Sequence, residues 1–176
     1  MGNKKISFIG IGSGKSGSSW LWNQIISHPE ISDKNAKEIN YFSSLFNKKS
    51  LSWYQGLFAK DNLIHGEFSV TYIDDKDSAE RIFNYNKDVK LICILRNPVE
   101  RIISDYYHSI RKGDTSASVS LSDFIGNEKN LTYGKYKNKL EEYFNYFEKN
   151  QILILEMEEI LKNKKNIRNV YKFLSL

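Results

Sequence analysis

From Gly10 to Leu21 the chain reads Gly10-Ile11-Gly12-Ser13-Gly14-Lys15-Ser16-Gly17-Ser18-Ser19-Trp20-Leu21. A glycine-rich turn between a strand and a helix lets backbone N–H groups converge on an anion. The helix N-terminus adds its dipole, and Lys15 adds a full positive charge. Phosphate or sulfate is the natural occupant of such a loop. Spacing separates the loops that do this work. A Walker A loop needs glycine where Ile9 stands, and Gly10 comes one place too late. The dinucleotide fingerprint is met literally by Gly12, Gly14 and Gly17. A pyrophosphate held by backbone alone has no use for Lys15 or the paired serines, and no acidic strand end follows at the required distance.

A second cation, Arg96, ends the apolar run Val89–Leu95, the place where open α/β sheets bind ligands. A kinase carries an aspartate for Mg²⁺ at such a strand end. Here arginine is followed by Asn97, which argues for a reaction without a metal.

These groups need a scaffold, and hydrophobic periodicity supplies its outline. Strands are expected at Lys5–Ile11, Leu63–Val70, Val89–Leu95 and Gln151–Leu155, with Lys37–Ser43 extended. Helices are expected at Ser18–His28, Leu51–Phe58, Asp77–Tyr85, Asn97–Lys112, Tyr136–Phe147 and Ile167–Leu174. Asn97 should cap its helix, with Pro98 at the first position and Glu100 completing a capping box. Gly113–Ser120 is the best loop. Strands alternating with helices predict an α/β fold: one domain, three layers, P-loop-like, with a central mainly parallel sheet flanked by helices.

Composition agrees with a globular chain. The 176 residues, 40% of them hydrophobic, fill one domain of ordinary size. One cysteine, Cys93, can form no internal disulfide and fits a reducing, cytoplasmic setting. Three histidines and one cysteine leave too few ligands for a structural zinc site. No apolar run reaches the roughly 18–20 residues of a membrane span. The start resembles neither an export signal nor a myristoylation site, for which Ile6 stands in the place of Ser or Thr. We therefore expect no membrane partner. The net charge of +5 is spread among acids rather than gathered in a block. That pattern favours a small anionic ligand over nucleic acid.

One further loop pattern, Lys-Ser-Gly-Ser/Thr-Ser/Thr-Trp-Leu, fits Lys15-Ser16-Gly17-Ser18-Ser19-Trp20-Leu21 at every position. On it the chain resembles the sulfotransferases that use 3′-phosphoadenosine 5′-phosphosulfate (PAPS), in their heparan-sulfate-type and bacterial branch. Lys37-Glu38-Ile39-Asn40-Tyr41-Phe42 is similar to the Lys-Glu-x-x-Phe-Phe segment of that branch. The stretch from Leu95-Arg96-Asn97-Pro98 through Arg101 and Ser104 to Tyr106 is similar to its Leu-Arg-Asp-Pro-x-x-Arg-x-x-Ser-x-Tyr signature. Gly134, Tyr136, Leu140, Phe147, Gln151–Leu155 and Glu158 follow its later helix and strand.

The resemblance implies sulfuryl transfer from PAPS to a hydroxyl acceptor, a small molecule or a glycan, leaving 3′,5′-bisphosphate (PAP) as product. Lys15, Gly17, Ser18 and Ser19 would hold the 5′-phosphosulfate, with Ser16 and Trp20 also binding the donor and Lys15 also catalytic. Arg96 and Ser104 would grip the 3′-phosphate, and Glu38 would be the general base. No metal is expected. By helical spacing His108 and Arg111 share a face with Ser104, which either lines the acceptor or phosphate side or forms a solvated stripe. Two departures stand out. Phe68 occupies the place of a lysine in the Glu-Lys-Ser-Pro segment, and the sequence runs to Leu176 without the basic C-terminal loop that closes over the adenosine. A short member, a donor site completed by another route, or weak PAPS binding are the three readings left open. Two other readings compete: a P-loop kinase, with Ser16 on Mg²⁺ and Glu67 in place of the missing aspartate, and a PAP-binding module without activity.

Overall fold

The computed structural model describes residues 5–32, 34, 37–58 and 61–176. Residues 1–4, part of the start considered for an export signal or myristoylation, lie outside them. Strand β1 (Phe8–Gly12) leads through the glycine-rich loop into α1 (Ser18–Ile26). Then come α2 (Leu51–Gly56), β2 (Gly66–Phe68), α3 (Ser78–Tyr85), β3 (Lys90–Leu95) and α4 (Pro98–Lys112). The chain continues through α5 (Leu121–Gly126), α6 (Glu128–Thr132), α7 (Tyr136–Phe144), β4 (Ile152–Glu156), α8 (Met157–Lys162) and α9 (Ile167–Leu174).

Among the described residues the strands form one parallel sheet in the order β2-β1-β3-β4. Side chains alternate across it, as the period of two demands. Phe8, Ile92 and Ile94 pack with Leu21, Trp22, Ile25, Val170 and Leu174 on the face that α1 and α9 cover. Ile9, Ile11, Leu91 and Cys93 pack with Tyr54, Ile82, Leu140 and Tyr143 on the face of α2, α3 and α7. Helices on both faces of a parallel sheet give the three layers expected from the sequence. Burial pushes the Cys93 thiol up, so it stays protonated inside.

Several element readings need correction. Lys37–Ser43 is not extended: only Lys37 bridges to Phe68, and Tyr41–Leu45 closes into a π-helical turn. Its aromatics stack on Tyr54 rather than lying along a sheet. The strand at Leu63–Val70 shortens to Gly66–Phe68, and the helix expected to reach Phe147 ends at Phe144. The short helices α5, α6 and α8 carry too few residues to show a period.

Gly10 is a packing glycine. A Cβ built on it would lie 2.1 Å from the Phe68 ring, itself fully buried between β1 and β2. Gly10→Ala should cost about 3 kcal/mol or more, since neither backbone nor ring has room to yield. Urea unfolding checks this, and a change below about 1 kcal/mol would show that the ring moves freely.

Candidate functional site

The site forms at the C-terminal edge of β1 and β3. Gly17, at φ 81°, turns the loop into α1, and no side chain caps that helix. The amides of its first turn are therefore left for a ligand. Lys15 holds φ 65°, an αL conformation that non-glycine residues adopt only under constraint. Glu38 (φ 59°) and Asn40 (φ 56°) do the same in the neighbouring loop. Of the four such residues among those described, three sit here, and strain of this kind collects where geometry is functional.

Lys15 lines a hollow of about 290 Å³ with Ser13, Gly14, Val70, Asp74, Arg101, Asp105, His108 and Tyr133. Burial lowers its pKa, helped by Arg111, Lys112 and Arg96 and opposed by Asp105. His108 is lowered as well, by burial and then by Lys15, Lys112 and Arg111, so its imidazole is mostly neutral at pH 7. Of the cations lining this hollow, Arg101 is paired with Asp105 at 3.2 Å, so the Lys15 charge is left to meet an entering anion.

Arg96 leaves the end of β3. Its Nη1 donates to the Lys15 carbonyl at 3.4 Å, its Nη2 to Glu100 Oε2 at 3.4 Å, and its Nε lies 3.9 Å from Glu158 Oε1. That Nε is buried without a hydrogen-bond partner. Asn97 caps α4 by accepting from the Val99 and Glu100 amides, with Pro98 at the first helical position, as expected. The capping box does not form: Glu100 turns to Arg96, and the Asn97 N–H donates to Glu158 instead. Arg96 also lines a second hollow, of about 400 Å³, with Asn97, Tyr136, Glu156, Glu158 and Lys162. The two basic side chains therefore flank one loop from adjacent hollows rather than sharing one.

The remaining candidates divide. Ser104 is half-buried on α4, and among the described residues its hydroxyl makes no hydrogen bond. A serine on the same helix, Ser109, bonds back to the Tyr106 carbonyl, so Ser104 has forgone the usual local partner. Ser18 is buried, Ser19 exposed, and Trp20 packs against the core on the α1 and α9 face of the sheet. Ser16 is fully buried, its Oγ 2.6 Å from Ser13 Oγ. Its hydroxyl points inward, leaving only its backbone for a ligand. Glu38 is exposed but held: Oε1 pairs with Lys37 Nζ at 2.5 Å, and Oε2 accepts the Val70 amide at 3.2 Å. Val70 lines the Lys15 hollow, so this carboxylate lies one hydrogen bond from the hollow's lining.

The kinase reading loses both its residues. Ser16 is turned away, and Glu67 is fully buried, accepting from Tyr54 Oη (2.6 Å), Tyr72 Oη (2.8 Å) and Ser69 Oγ (2.7 Å). Burial pushes the Glu67 carboxyl from 4.5 up to about 7 against the pull of those donors. The native state then binds more protons than the unfolded chain between those values. Stability from this group is complete below the unfolded value and lost as pH rises through about 7. The full effect is about 3 kcal/mol. Glu67→Gln should flatten that slope in urea unfolding run between about pH 5 and 8.

Asp74, Asp105 and Tyr133 belong to the hollow without having been singled out, and Arg101, named only within the signature, joins them. Arg101 and Asp105 stand four apart, with His108 three further on, a helical face visible in the sequence. Asp74 and Tyr133 arrive by tertiary packing and leave no local signal.

With this geometry in place, comparison with known proteins is informative. A family model described as "Sulfotransferase domain" matches residues 7–176. The membrane-associated sulfotransferase kil1 of Dictyostelium discoideum is 37% identical over 110 residues, covering 60% of this chain and 23% of that protein. Heparan sulfate glucosamine 3-O-sulfotransferase 3A1 of Mus musculus is 28% identical over 177 residues, covering 94% of this chain and 44% of that protein. The chain thus spans less than half the length of these relatives. Among solved structures, a sulfotransferase from Alicyclobacillus acidocaldarius superposes with TM-score 0.87 at 23% identity, covering 98% of this chain and 82% of that one. Mouse sulfotransferase SULT7A1, complexed with PAP, superposes at 0.67 with 16% identity, covering 99% and 59%. At these identities the superpositions speak to the fold.

Proposed function

The chain belongs to the sulfotransferase domain family, and we propose that it moves a sulfuryl group from PAPS to a hydroxyl on a glycan or smaller acceptor. The observation that carries this reading is the contact of the Arg96 guanidinium with the Lys15 carbonyl, which fastens the two cations to one loop. A bisphosphorylated nucleotide presents anions at both ends, and this pair answers both.

The residues present suit such a donor. The uncapped first turn of α1 and the Lys15 ammonium meet its 5′ end, where sulfuryl transfer leaves negative charge on the bridging oxygen. Arg96, with an unpartnered buried Nε, and Ser104, with an unused hydroxyl, await the 3′-phosphate. Glu38, bonded to the amide of the hollow-lining Val70, takes the acceptor proton as the new O–S bond forms. Because Lys15 and the helix amides neutralise the developing charge, no step in this scheme calls for a metal ion. The heparan sulfate named for one relative supports a glycan as acceptor. Asp74, Asp105, His108 and Tyr133 offer hydroxyl-directed hydrogen bonds and an aromatic face to such a ligand.

Two measurements test the reading together: calorimetry with PAP against ADP, and transfer of labelled sulfate from PAPS across neutral and sulfated oligosaccharides, both without added metal. Preference for PAP with label on a glycan is the expected result. Equal affinity for PAP and ADP, or binding only with Mg²⁺, would overturn it.

A further inference from the structure

Glu67 takes no part in the scheme above, yet it is the only fully buried carboxylate among the described residues. Its three hydroxyl donors are themselves buried. Two of them face the loop that carries Glu38. Ser69 Oγ gives its proton to Glu67 Oε2 and accepts the Asn40 amide at 3.0 Å. Tyr72 Oη gives its proton to Glu67 Oε1 and accepts the Phe42 amide at 3.4 Å. A hydroxyl has one proton, so a carboxylate that takes it fixes which side of the oxygen is left to accept. Asn40 in turn holds the loop: its Nδ2 donates to the Glu38 carbonyl at 2.9 Å, and its Oδ1 accepts from Thr71 Oγ1. Glu38 and Asn40 both occupy the αL region. Such a turn persists only when its surroundings over-determine it.

We propose that Glu67 is a positioning residue for the Glu38 carboxylate: by accepting the hydroxyl hydrogen bonds of Ser69 and Tyr72 it leaves both oxygens to accept from the Asn40 and Phe42 amides, and so fixes the left-handed turn that holds Glu38 against Val70 of the Lys15 hollow. The catalytic part rests on Glu38 being the base. The structural part does not.

The groups facing Glu67 are Tyr54 from α2, Ser69 and Tyr72 beyond β2, Tyr85 from α3 and, more distantly, Glu38. No cation is among them, and protonation reverses the arrangement, because a neutral carboxyl must donate to one hydroxyl rather than accept from all three. Glu67→Gln imitates that state at every pH.

Residue-resolved amide hydrogen exchange on the whole chain is the first test. Glu67→Gln should speed exchange at Asn40 and Phe42 by roughly fivefold or more, with β1 and β3 amides unchanged. Ser69→Ala should do so at Asn40 alone and Tyr72→Phe at Phe42 alone, which keeps the test open if Glu67→Gln folds poorly. Unchanged exchange at both amides, or a uniform rise across the core, would overturn the proposal. The second test uses labelled PAPS and the glycan that accepts sulfate in the panel above. Glu67→Gln should lower kcat roughly 10- to 100-fold with KM for PAPS unchanged, and should lose the acidic limb of the wild-type kcat profile. A Gln variant that keeps that limb would overturn the catalytic part. Loss of PAP binding and transfer by the wild type would sink the sulfotransferase reading, and the base role with it, while the exchange results stand separately.

Discussion

Lys15→Ala is expected to lower kcat for sulfate transfer by about 10³-fold while PAP affinity falls by less than about tenfold. The asymmetry follows from where charge develops. In the ground state the donor's anions are shared among the α1 first-turn amides, Lys15 and Arg96, so losing one cation leaves others in place. In the transition state a full charge gathers on the departing bridging oxygen, where only a positioned donor can meet it. The constraint on Lys15 fits this role. It stands in the αL region between two glycines' worth of turn, and its ammonium is partly desolvated beside other cations, which strengthens its grip on an incoming anion. Lys15→Arg should recover little, since a planar guanidinium does not place its charge where the ammonium stood. Single-turnover rates together with PAP calorimetry separate the two effects. An equal loss in binding and in rate would make Lys15 a plain anchor, and the catalytic assignment would fall.

How far the chain discloses this site depends on how local each relation is. The loop, Gly17 and the start of α1 lie within a dozen residues, and their spacing alone points to an anion site. Arg96 is legible as the last residue of a buried strand, because strand ends in such sheets meet ligands. What surrounds Arg96 is not. Glu158 is sixty-one residues from the Asn97 amide it accepts from, and no periodicity carries that relation. Glu100 was readable as half of a capping box, but an arginine four residues before it offered a stronger, charge-assisted partner. The segment after Lys37 fails for another reason. Its aromatics resemble a strand in composition, but their stacking on Tyr54 and Tyr72 draws the chain into a tight turn instead. The glycines also did double duty: Gly10 was read with the phosphate loop, whereas its contact with Phe68 is a packing requirement.

Arg96→Ala should erase the discrimination between PAP and ADP, lowering PAP affinity by about 100-fold while ADP binding barely changes. The size of the effect comes from preorganisation. The Lys15 carbonyl, Glu100 and Glu158 already hold the guanidinium, so a 3′-phosphate meets a donor that need not be ordered first. The same contacts cost something in charge, because Glu100 must share its partner with the arriving phosphate. Glu100→Gln should therefore tighten PAP by a few-fold and leave ADP alone, a change opposite in sign to that of Arg96→Ala. Ser104→Ala, which removes a neutral hydroxyl bond, should cost PAP about fivefold. The three changes together make a pattern that a general destabilisation cannot imitate: one large loss, one small loss and one gain, all confined to the nucleotide bearing the 3′-phosphate. If Arg96→Ala weakens PAP and ADP alike, the arginine serves the loop through the Lys15 carbonyl and not the ligand, and the 3′-phosphate must be recognised elsewhere.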